Sequence, residues 1–137
     1  RRHIPRRTSM STLNVANITD GTDTVETGYV VNGSAKAWVN FSGQGVYSIR
    51  SSLNLSGLTD NGTGNFSGNF VSNMSANTYS VVSGISESGV AGVAHCSVGD
   101  GYTSSDFLML TANIAGGSAN VLTDYKFVQT AVHGDLA

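Results

Sequence analysis

Three histidines, one cysteine and nine acidic residues are the groups in this 137-residue chain best suited to acid–base, nucleophilic or metal chemistry. His95 and Cys96 are neighbours, the residue types that a cysteine hydrolase uses as base and nucleophile. They fall in a run where Val90, Ala94, Cys96 and Val98 share one face of an expected strand. Adjacent strand residues point to opposite faces, so the two cannot form the nucleophile–base hydrogen bond. They read as a core cysteine beside a surface histidine. The sequence has no G-x-S-x-G, H-E-x-x-H or G-x-x-x-x-G-K-[ST] motif. The G-x-G triplets beginning at Gly43, Gly62 and Gly99 lack the third glycine of a dinucleotide fingerprint and read as turns. Asp20-Gly21-Thr22-Asp23 and Gly99-Asp100-Gly101 offer oxygen ligands without EF-hand spacing, as ordinary polar turns do. Glycosidase carboxylates pair in space rather than in sequence, which keeps a glycan-cleaving enzyme as one alternative. The reading is otherwise of a non-enzyme, with no catalytic residue, cofactor or metal site.

The elements that must carry these residues are strands. Lys36 to Phe41 alternates, with Val39 and Phe41 opposite Lys36, Trp38 and Asn40. Tyr47, Ile49, Leu53 and Leu55 form one odd-numbered apolar face. Asp60-Asn61-Gly62-Thr63 is a hairpin signal for a two-residue type I′ turn. Phe66 and Phe70 continue the alternation, with Gly68 between them as a bulge or close-approach site. Short strands are expected at Tyr29–Val31, around Tyr79 to Val82, over Phe107 to Ala112 and from Tyr125 to Val132. No stretch sustains a helical period. Eight or nine short strands with regular turns predict an all-β fold, an antiparallel β-sandwich or jelly-roll-like domain.

Composition agrees. Serine, threonine, asparagine and glycine make up 61 residues, and charged residues only 12%, which excludes helical bundles and coiled coils. The apolar fraction of 39% excludes a disordered polyampholyte. No apolar run approaches the ~20 residues of a membrane helix, so no membrane insertion is expected. Seven Asn-x-Ser/Thr patterns, beginning at Asn17, Asn32, Asn40, Asn54, Asn61, Asn65 and Asn73, reflect strand and turn composition better than dense glycosylation.

Charge divides the chain. Arg1, Arg2, Arg6 and Arg7 lie in one short segment, and Met10 reads as a natural start, so residues 1–9 are expected to be non-native or upstream sequence. A genuine basic arm reaching a neighbouring subunit is the alternative. From Met10 on, Lys36, Arg50 and Lys126 stand against nine acids, a formal −6. That body is a poor match for nucleic acid. Residues 10–31 carry too little apolar surface to fold alone and are expected to be an extended anchoring or oligomerisation segment, through Leu13, Val15, Ile18 and Val30. Residues 32–137 form the sandwich domain. Several strands are apolar on both faces, so self-association is expected, with Trp38 in the interface and a cyclic homo-oligomer as the outcome. The alternative leaves Trp38 and Tyr125 simply half-exposed.

Ala35-Lys36-Ala37-Trp38-Val39-Asn40-Phe41, then Gly43-x-Gly45, Ile49-Arg50 and Asp60-Asn61-Gly62-Thr63-Gly64, resembles a recurrent module of bacteriophage tail-fibre-like proteins from phages of aquatic bacteria. The resemblance runs from Leu13 to about Tyr79. It implies a structural protein located in the virion, a homotrimer whose N-terminal segment attaches to other virion proteins of tail or capsid. Its β-domain would face outward toward a host surface glycan or protein. The alternative is a capsid decoration or head-fibre protein on the capsid lattice. The loops Ser83–Gly92 and Gly99–Asp106, with Asp100, Tyr102 and Asp106, are the expected receptor-contacting tip, because polar loops presenting an aromatic suit glycan recognition.

Overall fold

A computed structural model describes residues 13–86, 93–98, 101–114 and 121–137. The chain runs through strands β1 (Asn17–Thr19) and β2 (Thr24–Glu26), helix α1 (Thr27–Gly33), then β3 (Ala37–Ser42), β4 (Ser48–Leu53), β5 (Leu55–Asp60) and β6 (Asn65–Phe70). It continues with β7 (Ser80–Ser86), β8 (Val93–Val98), β9 (Asp106–Ile114), β10 (Val121–Leu122) and β11 (Phe127–His133). Two antiparallel sheets pack as a sandwich. The first has the order β4-β3-β11-β7; in the second β5, β6 and β9 lie side by side, and β8 and β10 also pair with β9.

The period-2 pattern sets what lies between the sheets. In β3, Ala37, Val39 and Phe41 are buried while Trp38, Asn40 and Ser42 are half-buried on the outer face. Val128, Thr130 and Val132 do the same in β11, and Phe66, Gly68 and Phe70 in β6. Phe41 meets Phe66 across the sheets edge-on, at 5.0 Å between ring centres. Each buried aromatic contributes about 2–3 kcal/mol, and an edge-on pair adds roughly 1 kcal/mol. Gly68 is a close-approach site, as expected: a Cβ there would lie 2.5 Å from the Phe107 ring.

Five expectations change. Tyr29–Val31 is part of α1, not a strand. Its backbone satisfies itself locally, and the helix ends with Ser34 N–H donating to the Val30 carbonyl. Within the segment expected to be extended, residues 17–26 form the β1–β2 hairpin and α1 follows it, running past residue 31. The turn after Asp60 takes four residues, not two, with Gly62 at φ +118° and Gly64 at φ +65°. The Gly64 position is fixed from outside the hairpin, since its N–H donates to Asp124 Oδ1 and its carbonyl accepts from Thr111 N–H. The single face from Tyr47 to Leu55 breaks at Asn54, whose φ of +54° carries the chain from one sheet to the other. Leu53 thereby stays exposed while Leu55 packs against the core. Tyr125 is not half-exposed either; it is fully buried.

Candidate functional site

The register of the first sheet builds an apolar row on its outer face. Trp38 pairs with Leu53 on one side and Ala131 on the other, and Ala131 pairs with Val82. All four point away from the core, because their strand neighbours Ala37, Val39 and Val132 point in. Leu53 is 48% and Val82 61% exposed. The row borders an open depression of about 480 Å³ whose lining includes Trp38, Asn40, Val82, Gln129 and Ala131. One step along the strands comes a polar row, where Asn40 pairs with Ser51 and Gln129. Arg50 reaches over it, with Nη1 donating to Asn40 Oδ1 (3.3 Å) and Nη2 to the Lys126 carbonyl (2.6 Å). Its guanidinium lies over Phe127. Sequence reasoning found Trp38 in this face but missed Leu53, Val82, Ala131 and Arg50. Only the pairing of strands distant in sequence brings them together.

The N-terminal residues expected to oligomerise are exposed as a group. Leu13 is 79% exposed and Tyr29 72%, and Val15, Ile18, Val25, Val30 and Val31 are exposed too. Ile18 faces Val25 across the hairpin. The tip acids Asp20 and Asp23 lie in the turn, each two residues from that pair along the chain. Asp20 Oδ1 accepts from Thr22 and Asp23 N–H, both at 2.9 Å. These backbone bonds hold its carboxyl below the usual range, so it stays charged. The hairpin leans on α1, where Thr27 Oγ1 donates to the Val15 and Ala16 carbonyls. α1 is tied to the sandwich near Gly33, whose carbonyl meets His133 Nδ1 at 3.1 Å, and by Lys36 Nζ, which donates to the Val31 carbonyl.

The expected receptor residues behave differently. Asp106 begins β9, and its Oδ1 accepts from Thr103 Oγ1 at 2.5 Å. Thr103 Oγ1 in turn accepts from Ser105 and Asp106 N–H. The carboxylate therefore holds its own turn. Tyr102 packs edge-on against Tyr79 at 5.1 Å, and Tyr79 Oη donates to the Thr103 and Asp106 carbonyls at 3.0 and 2.6 Å. Burial pushes both phenols up, and the Asp106 charge adds to the effect at Tyr79. Both rings remain neutral packing groups. Asp100, residues 87–92 and the side chains of His95 and Cys96 lie outside what is described.

The two loops expected to form one tip do not start from the same end. Ser80 pairs with His133 and Ser86 with Phe127, so β7 runs away from the end where Asp106 pairs with Asn69. Tyr102 and Asp106 instead share the end from which the N-terminal segment leaves: the nearby Met74 bridges Leu136, and Gly134 packs on Tyr79. The opposite end carries the turns after β3 and β5, with Gly43 N–H donating to the Tyr125 carbonyl.

Among the described residues no group of three or more His, Cys, Asp or Glu side chains could hold a metal ion. No described helix is long and apolar enough to cross a membrane. No protein family, curated protein or solved structure matches the chain.

Proposed function

We propose that this chain is a structural protein of a phage virion, a homotrimeric fibre-like β-domain assembled through its N-terminal hairpin and helix. The observation that carries the reading is the contrast between the two parts. The sandwich buries Phe41, Phe66, Phe107 and Tyr125 completely, whereas residues 13–33 display Leu13, Tyr29, Val30 and Val31 to solvent. A row of exposed apolar residues of this kind marks an assembly surface. The order of the AKAWVNF and DNGTG motifs, similar to tail-fibre-like modules, supplies the particle context. With the segment anchored on the particle, the turns at 43–47 and 61–64 become the outward surface available to a host. Tyr102 and Asp106 face the anchor and serve the fold.

Light scattering on the intact chain tests the assembly: a trimer is expected, and a stable monomer overturns it. Imaging of labelled protein on intact particles tests the location, with tail density expected; density at capsid lattice positions would favour a decoration protein.

A further inference from the structure

The acidic hairpin and the outer face of the first sheet are complementary, and among the described residues neither is covered. We propose that the β1–β2 hairpin of one subunit docks on the β4-β3-β11-β7 face of a neighbouring copy. Its Ile18–Val25 pair would rest on the Leu53–Trp38–Ala131–Val82 row, with Asp20 and Asp23 against Arg50. The proposal rests on the trimeric reading above and names its contact surface.

Charge selects this occupant. The hairpin region carries Asp20, Asp23 and Glu26 and no basic residue. Arg50 sits on the docking face with neutral partners: the Asn40 amide oxygen, the Lys126 carbonyl and the Phe127 ring. In a body with a formal −6 from Met10 on, a face presenting a cation is where an acidic element of the same chain is attracted rather than repelled.

Spacing selects the register. On the hairpin, Asp20 lies two residues beyond Ile18 and Asp23 two before Val25, a step of up to about 7 Å along the chain. On the sheet, Asn40, where Arg50 is bonded, lies two residues beyond Trp38, the same step. One placement therefore satisfies both the apolar and the charged contacts.

Direction agrees too. The apolar row is one step from the end where the N-terminal segment leaves, and Arg50 lies further along the face. A hairpin arriving from a neighbour at that end meets the row first and the cation second.

Cysteine pairing tests the contact. Val25→Cys and Val82→Cys chains are refolded together and oxidised, with each single variant, retaining Cys96, as its own control. A disulfide joining two chains, formed only in the mixture, is the expected result. Oligomer by light scattering with no such bond overturns the docking and leaves the trimer standing. A monomeric wild type overturns both. Charge reversal gives a second readout. Arg50→Glu should weaken association about tenfold or more, and pairing it with Asp23→Lys should restore most of that loss. Unchanged association in Arg50→Glu, or no recovery in the folded double variant, overturns the proposed register.

Discussion

The Arg50 guanidinium carbon sits 4.4 Å from the centre of the Phe127 ring, with the Lys126 ammonium 5.8 Å from the same ring. One side chain from an edge strand thus ties β4 to β11 across the outside of β3, through a cation–aromatic contact and two hydrogen bonds.

Arg50→Lys is expected to destabilise the fold by about 1 kcal/mol, since an ammonium cannot stack on the ring and reach two acceptors with one planar group. Urea denaturation reads the loss. A lysine variant as stable as the parent would show that the stacked geometry contributes nothing.

Gly64 and Gly62 should respond differently to alanine. At Gly64 a Cβ would meet the Thr111 carbonyl oxygen at 2.3 Å, on a backbone with φ +65°. At Gly62 the φ is +118° but the space is open. Gly62→Ala carries only conformational strain, about 1–2 kcal/mol. Gly64→Ala adds displacement of backbone and is expected to cost several kcal/mol more. Thermal melts of the two proteins side by side decide it.

Asn54→Ala should loosen the crossover between the sheets. The Asn54 side chain accepts from Ser72 N–H at 2.7 Å and donates to the Ser72 carbonyl at 3.0 Å. Asparagine also tolerates the left-handed backbone better than alanine. A loss of about 2 kcal/mol is expected, and Asn54→Gly should recover the conformational part only.

Tyr79 makes stability depend on alkaline pH. Its folded pKa is raised, chiefly by burial and next by the Asp106 charge. Its contribution is therefore fully present below the ordinary phenol pKa of about 10 and is lost as pH rises beyond it. Tyr79→Phe should flatten that alkaline decline and cost about 1–2 kcal/mol at neutral pH, by removing the donor to two carbonyls. Denaturation curves between pH 7 and 11 show both effects.

The sandwich was legible because its inward residues are spaced by two in strands with a strong apolar face: Val39 and Phe41, Phe66 and Phe70, Phe107 onward. Helix α1 was not legible. Tyr29, Val30 and Val31 have strand-forming side chains, yet they lie in α1. The apolar row was hidden for another reason. Trp38 meets Ala131, far away in sequence, through a register that the folded core sets, and Leu53 reads as an inward residue until Asn54 reverses the chain. Tyr102 and Asp106 look like ligand groups by type; their partners, Tyr79 and Thr103, absorb that chemistry into a turn.

The position of β3 has a mechanical consequence. The N-terminal segment feeds into Ala37 at one end of the strand, and the turn at Gly43 leaves at the other. β3 is hydrogen-bonded on both sides, to β4 and to β11. Under the function proposed above, tension between an anchored N-terminal segment and a load on the far turns would run along the strand axis, perpendicular to those bonds. The bonds then resist together in shear instead of opening one after another. A domain loaded this way holds a pulling force through an inner strand of its sheet.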